Sequence, residues 1–301
     1  MLAYLPKNFS SANLPPNIDV EIFDGDVDDT PASIDQVEIY VPTYMGSGAV
    51  YEIIQMMPKL RYIQLLTAGV DKVTPYMREG ITLCNARGVH DLGTAEHTLG
   101  LILASMRGIV ETARAGNEGW RTRRIRPTLF NSAVTIVGAG SIGREIGRLI
   151  DALGGKVTFV SRSGSNGTIA FDQADDVIRS ADVVVAVVPL TDETRSIFNA
   201  SFFAKLKDGS LFVNVARGEV VDQKAMIEAL KSGRFNAALD VVTPEPLPSD
   251  SELWAMQNVI ITPHVGGATK SFFYKGIALI EENLSRISKG LEPVNVIRGD
   301  Y

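Results

Sequence analysis

Cysteine is nearly absent: the single thiol, Cys84, allows no internal disulfide and no cysteine-built zinc site in this chain of 301 residues. One thiol suits a reducing compartment, and the neighbours Ile81 and Leu83 set it on a buried strand, where inert packing is expected of it. Positive charge is also short, with 29 basic residues against 35 acidic ones and a formal charge of -6. That balance gives no broad cationic field for nucleic acid or an anionic membrane surface, so any bound anion must be gripped locally. Long apolar runs are missing, and residues 183–189 fall far short of the roughly 18 that a membrane span needs. The opening residues, Met1 to Pro6, carry neither a basic region nor a sustained apolar stretch, so no signal peptide is expected. These absences describe a cytoplasmic protein with no nucleic-acid or membrane partner.

The composition, 45% hydrophobic and 21% charged, is that of a folded globular protein, and the length favours two domains over one. From about residue 135 the chain alternates short β-branched runs with helical patterns, the signature of a parallel sheet covered by helices. Six strands are expected, at 134–137, 157–161, 183–188, 211–215, 237–241 and 259–262. Their apolar character is continuous, not alternating, which fits strands buried on both faces. The first ninety residues carry weaker signals, with strands near 20–23, 38–41, 62–65 and 82–85 marked off by Pro15-Pro16, Asp24-Gly25 and Pro42.

Between these halves, Leu99, Ile102, Leu103 and Met106 recur at helical spacing and predict a connecting helix over 92–107. His97 on that helix is expected to be packing, and Glu96 to complement the helix dipole. The basic stretch at 121–127 reads as a solvated loop, or else sets one arginine toward a ligand. A last helix, 271–288, follows the final strand and can return to the first half.

Gly138-Ala139-Gly140-Ser141-Ile142-Gly143 lies directly after a strand and opens a helix. Gly138 and Gly140 permit a tight turn and close backbone approach to a pyrophosphate, Gly143 permits close packing of helix on strand, and the helix N-terminus offers N–H groups to anionic oxygen. About 18 to 20 positions past the last glycine, an acid would bond the ribose 2′-hydroxyl and repel a 2′-phosphate. That position falls on Ser161-Arg162-Ser163, with no acid in the run. A planar cation between two hydroxyls suits a phosphate, so NADP(H) is favoured over NAD(H). A second reading leaves Arg162 stacked on adenine or in solvent.

Three further segments end strands, where an open α/β sheet places its ligands. They run 213–222, 238–248 and 262–269 and contribute Arg217, Glu245 and His264. Together with Ala68-Gly69-Val70-Asp71, Thr94-Ala95-Glu96-His97, the glycine loop and Pro189-Leu190-Thr191 with Thr194, they closely resemble the D-isomer-specific 2-hydroxyacid dehydrogenases, over about residues 67–269. The resemblance implies two Rossmann- or flavodoxin-like α/β domains of doubly wound parallel sheets with a cleft between them. Residues 1–88 and 269–301 would form the substrate-binding domain, and 89–268 the dinucleotide-binding domain.

It further implies a hydride transfer between NADP(H) or NAD(H) and a small 2-oxo or (R)-2-hydroxy acid such as glyoxylate or hydroxypyruvate. Arg217 would hold the substrate carboxylate and polarise the C2 oxygen, His264 would be the acid and base, and Glu245 its partner. The chemistry agrees: a guanidinium fork matches a carboxylate, imidazole suits proton exchange near neutrality, and an adjacent carboxylate favours the protonated ring. Pro244-Glu245-Pro246 also reads as a simple rigid turn. The main chain of Ala68 and Gly69 would also meet the substrate. Ser141 and Ile142 would reach the pyrophosphate, Asp240 the nicotinamide carboxamide, and Pro189, Thr194, Val215, Ala216, Gly266 and Gly267 would complete the cofactor site. A homodimer is implied.

Position 131, often glycine in the family, is Asn131, which tolerates a left-handed conformation best after glycine. Glu245 disfavours a formate dehydrogenase, whose pattern has glutamine there. Two other readings stand beside the reductase: a nucleotide-sensing corepressor-like binding protein, and a phosphoglycerate dehydrogenase, although the chain stops at Tyr301 without the regulatory extension some of those enzymes carry.

Overall fold

The computed structural model describes residues 1–9, 13–46, 48–120 and 124–298. The chain divides into two compact units, Met1–His90 with Ala268–Tyr301, and Asp91–Gly267.

The first unit holds a parallel sheet of β1 (Leu2–Leu5), β2 (Asp19–Ile22), β3 (Val37–Tyr40), β4 (Tyr62–Gln64) and β5 (Thr82–Cys84), in the order β2-β1-β3-β4-β5. The sequence reading supplies four of these and misses β1. Ala3, Tyr4 and Leu5 are fully buried, so the strand has no polar face to make an alternating pattern, and a short apolar run has no periodicity of its own. Side chains leave the sheet alternately. Tyr4 and Tyr40 join Ile54 and Ile63 in the core on one face, where the short helix α1 (Ala49–Glu52) lies close by. Ala3, Leu5 and Ile39 face the other way, onto Phe272, Ile280, Leu284 and Ile287, which recur at helical spacing. The C-terminal segment, residues 295–297, covers the β5 edge: Asn85 N donates to Asn295 O at 3.1 Å and Ile297 N to Leu83 O at 2.8 Å, which blunts an otherwise open edge.

In the second unit come α2 (Asp91–Met106), α3 (Ile109–Ala115), β6 (Ala133–Val137), α4 (Ser141–Ala152), β7 (Lys156–Ser161), β8 (Ile169–Ala170), α5 (Asp175–Ser180) and β9 (Val183–Ala186). After these follow α6 (Ala200–Lys205), β10 (Leu211–Asn214), α7 (Gln223–Lys231), β11 (Asn236–Leu239) and β12 (Val259–Ile261), while α8 (Lys270–Ser288) carries the apolar residues that cover the first unit's sheet. All strand pairs are parallel, in the order β12-β11-β10-β9-β6-β7-β8. The six expected strands are all present, and β8, two residues long, is an addition too brief to leave a pattern. Val183 and Val185 face the core beneath α2 and α4, with Ala95, Ile102, Ile146 and Ile150. Val184 and Ala186 face the opposite core, with Phe198, Phe203, Phe212 and Phe235. Each fully buried aliphatic side chain of this kind contributes roughly 1.5–3 kcal/mol, enough to explain why β9 is apolar throughout.

Helix α2 buries Ile102 and Met106 as the spacing predicts, with Leu99 and Leu103 packed beside them. Its first turn carries Asp91; Glu96 lies beyond that turn and is exposed, so the dipole is met by Asp91 and not by Glu96. Asn131 takes φ 63°, the left-handed conformation expected where the family pattern has glycine. In the basic stretch, residues 121–123 lie outside the described residues, while Arg124 and Arg126 both pair with Glu111. No helix among the described residues is long and apolar enough to cross a membrane.

Burial, with the Glu292 carboxylate adding to it, pushes the Cys84 thiol up to about 12. The folded protein is therefore expected to resist thiol–disulfide exchange near about pH 8 and to react with one equivalent of reagent only after unfolding. A thiol titration with and without denaturant checks this, and rapid reaction of the native chain would contradict it.

Candidate active site

Because every strand of the second unit runs the same way, the C-terminal strand ends share one edge of the sheet. The chain leaves β6 toward β7 and β8, then returns to β9 on the other side of β6. This reversal is the switch point at which doubly wound sheets open a ligand crevice. Along the edge from β12 to β7, the loops carry in turn His264, Asp240 with Glu245, Arg217, residues 189–194, residues 138–143 and residues 161–163.

The glycine loop has the shape the sequence implies. Gly138 takes φ 116°, and a Cβ there would lie 2.4 Å from Val187 O. A Cβ on Gly143 would lie 2.0 Å from Gly138 O, so neither position accepts a side chain. Around Gly140 no atom lies within 4 Å of a Cβ position, which leaves the backbone open toward solvent just before α4. The first N–H groups of α4, those of Ser141 and Ile142, have no carbonyl within the helix to receive them. This cradle fits a pyrophosphate. Across the switch point, Thr194 Oγ1 donates to Pro189 O at 2.6 Å and accepts from Thr191 N at 2.8 Å, tying the loop after β9 into a fixed turn.

At the end of β7, Ser161 Oγ lies 2.7 Å from Thr168 Oγ1 and Ser163 Oγ 3.0 Å from Ser165 Oγ. Arg162 Nη1 donates to Glu193 Oε2 at 2.9 Å. The sequence run holds no acid to bond or to repel a phosphate, but the fold supplies one from the loop after β9, thirty-one residues away. Both side chains are well exposed, at 78% and 66%, so the pair is worth only about 0–1 kcal/mol.

Arg217 follows β10 on a turn held by Asn214. Asn214 is 1% exposed, accepts from Ala216 N at 3.0 Å and donates to Arg217 O at 3.0 Å. The turn packs tightly on the loop after β11, since a Cβ on Gly218 would lie 2.0 Å from Val242 O. Arg217 Nη1 donates to Ala216 O at 2.8 Å, and Val215 and Ala216 line the start of the turn. Glu245 stands between two prolines on that neighbouring loop, accepting from Val242 N on Oε1 at 3.3 Å and from His264 Nδ1 on Oε2 at 2.8 Å. With Nδ1–H committed to the carboxylate, Nε2 is the nitrogen left for chemistry. The segment is thus more than a rigid turn.

Asp240 is buried, at 4% exposed, and its carboxylate faces the protein. It accepts from Thr262 Oγ1 at 2.6 Å, Val265 N at 3.0 Å, Gly266 N at 2.9 Å and His97 Nε2 at 3.1 Å. His97, expected as packing, is therefore a polar partner. Spacing cannot signal this partnership, because Asp240 and Thr262 lie 143 and 165 residues further on. Ala68 and Gly69 follow β4 in the first unit, where Ala68 O accepts from Asn85 Nδ2 at 2.7 Å and Gly69 O from Thr67 Oγ1 at 2.8 Å. Among the described residues no group of acids, histidines and cysteine could hold a metal ion.

Comparison with known proteins identifies the family. Residues 99–266 match the family described as D-isomer specific 2-hydroxyacid dehydrogenase, NAD binding domain. A glyoxylate/hydroxypyruvate reductase B of Escherichia fergusonii is 35% identical over 258 residues, which cover 79% of this chain and 78% of that one. A D-3-phosphoglycerate dehydrogenase of Archaeoglobus fulgidus is 33% identical over 82% of this chain, but the matched part is only 49% of its own length. Among solved structures, an NADPH-dependent glyoxylate/hydroxypyruvate reductase of Sinorhizobium meliloti, in complex with NADP and sulfate, superposes with a TM-score of 0.86 at 25% identity, covering 98% of this chain and 97% of that one. The chain belongs to the D-isomer specific 2-hydroxyacid dehydrogenase family, and it is an NAD(P)-dependent oxidoreductase.

Burial works against ionisation of Asp240, but hydrogen bonds from His97, Thr262, Val265 and Gly266 outweigh it and hold the carboxyl down at about 2, against an ordinary 3.8. A folded-state value below the unfolded one stabilises the fold above about pH 4, by about 2 kcal/mol, and that contribution disappears as the pH falls toward 2. Asp240→Asn is expected to be less stable than the parent at about pH 7, with the gap closing below about pH 4. Urea denaturation across that range measures it, and a gap independent of pH would contradict the assignment.

Proposed function

We propose that this dehydrogenase reduces a small 2-oxo acid of the glyoxylate or hydroxypyruvate kind, or oxidises the matching (R)-2-hydroxy acid, with NADP(H) preferred to NAD(H). The observation that carries the reading is the 2.8 Å bond between His264 Nδ1 and Glu245 Oε2, set beside the Arg217 turn on three adjacent strand ends. Glu245 orients the ring, so that Nε2 gives its proton to the C2 oxygen in reduction and takes it back in oxidation. Arg217 grips the substrate carboxylate with its fork and, with the imidazolium, steadies negative charge growing on the C2 oxygen. When bound, the nicotinamide supplies the hydride in reduction and accepts it in oxidation.

Ser141 and Ile142 N–H groups hold the pyrophosphate in the opening that Gly140 leaves, between the turns built on Gly138 and Gly143. The loops at Pro189, Thr194, Val215, Ala216, Gly266 and Gly267 complete that site, and Asp240 holds the last of these loops in place. The same reading assigns the main chain of Ala68 and Gly69 to substrate, the first unit to substrate binding and the second to the dinucleotide. It also expects a cytoplasmic homodimer.

NADP preference is supported by Ser161-Arg162-Ser163 and by the bound NADP of the Sinorhizobium meliloti structure. The Arg162–Glu193 pair does not prevent it, because a charge-assisted, two-pronged contact with a phosphate outweighs an exposed ion pair worth about 1 kcal/mol at most. Two competing readings make different predictions. A nucleotide-sensing binding protein would bind NADPH without oxidising it. A phosphoglycerate dehydrogenase would prefer the phosphorylated acid, and the chain spans about half the length of that Archaeoglobus fulgidus relative. A panel of 2-oxo acids with each reduced cofactor separates all three.

His264→Ala is expected to lower kcat about 10²–10⁴-fold while NADPH affinity, read by fluorescence titration, stays within about twofold. Near-normal turnover would remove His264 from the mechanism. Arg162→Asp is expected to reverse the NADPH/NADH preference, whereas Glu193→Gln should raise kcat/KM for NADPH by up to about fivefold and leave NADH unchanged. An unaltered cofactor ratio in both variants would place the 2′-phosphate elsewhere.

A further inference from the structure

His97 has no part in the chemistry above, yet its ring lies directly behind the loop that delivers His264. Its Nε2 is 2.9 Å from Thr262 Oγ1 and 3.1 Å from Asp240 Oδ1. One proton arrangement satisfies all three groups. An ionised Asp240 only accepts, and the single hydroxyl proton of Thr262 is spent on it at 2.6 Å. His97 must therefore carry its proton on Nε2 and share it between the two oxygens.

The clasp made in this way reaches Thr262, His264, Val265 and Gly266 of the loop. Asp240 accepts from Val265 N and Gly266 N through its carboxylate, and from His264 N through its main-chain carbonyl at 2.8 Å. His264 itself holds φ 53°, a left-handed conformation that a side chain with a β-carbon rarely takes unless its surroundings impose it. The fit is close, since a Cβ on Gly266 would lie 3.0 Å from Asp240 Oδ2 and 3.5 Å from His97 Cδ2. Losing one donor to Asp240 therefore loosens the group that holds an unfavourable backbone geometry at the proton-donating residue.

We propose that His97 is a positioning residue for proton transfer: by donating to Asp240 and Thr262, it holds loop 262–266 in the conformation that turns His264 Nδ1 onto Glu245 and presents Nε2 to the substrate. The proposal rests on the reading of His264 as the proton donor. It differs from a packing role for His97, in which the volume of the ring matters and its N–H does not.

The test uses the full chain with NADPH and glyoxylate, comparing His97→Ala, His97→Gln and Thr262→Val. Glutamine can set an N–H where Nε2 stands, and valine keeps the size of Thr262 without its hydroxyl. His97→Ala and Thr262→Val are expected to lower kcat about tenfold or more with KM changed by less than about threefold, as a misaimed catalytic group would. His97→Gln is expected to recover kcat to within about threefold of the parent. A second readout needs no turnover. With only three histidines in the chain, the ring 15N signals of the free protein can be told apart, and the Nδ1–H signal of His264 should lose its hydrogen-bonded character in the alanine and valine variants and keep it in the glutamine variant.

Unchanged kcat and an unchanged His264 signal in the alanine and valine variants would overturn the proposal. So would a glutamine variant as impaired as alanine. If His97→Ala does not fold, Thr262→Val decides by the same two measures. Should the parent reduce no 2-oxo acid at all, the activity reading falls while the ring signals still decide the clasp.

Discussion

A carboxylate withdrawn from water must be answered by donors, and in this protein the answer organises the edge of the sheet that carries His264. Asp240 sits at the end of β11 and receives groups from α2, from the end of β12 and from the loop beyond it. An unpaired charge in that position would cost several kcal/mol, so the four donors are held to it. The loop that carries His264 is defined by that demand. Its left-handed backbone at His264 persists because the hydrogen bonds on either side over-determine it.

The parallel sheet supplies the second constraint. Since all seven strands end on one side, residues far apart in the chain meet there without any local sequence signal joining them. His264, Glu245 and Arg217 lie in the loops after β12, β11 and β10, and the glycine loop and Ser161-Arg162-Ser163 at the ends of β6 and β7, with the turn after β9 between them. On the proposed reading, one half of the sheet edge would meet the small acid and the other the dinucleotide.

Much of this arrangement can be read from residues alone. Strands such as 183–186 announce themselves because burial on both faces leaves only apolar, β-branched residues, and the glycine loop shows because each glycine answers a distinct steric demand. Arg217, Glu245 and His264 are legible as candidates because each stands just past a strand. What escapes is of two kinds. The two-residue β8 is too short to carry a period, and β1 is buried along almost its whole length and shows no alternation. The partnerships of His97 with Asp240, of Arg162 with Glu193 and of Asn214 with its own turn depend on strand order or on side-chain direction, and spacing encodes neither.

The first unit is assembled from both ends of the chain, and this affects how the protein is made. Residues 1–90 are synthesised before 268–301, yet one apolar face of their sheet, with Ala3, Leu5 and Ile39, is covered by Phe272, Ile280 and Leu284. The whole of 91–267 emerges in the meantime and can complete its own core. The first unit can therefore close its core only after the second is made, an order that leaves its apolar residues without their partner helix during synthesis.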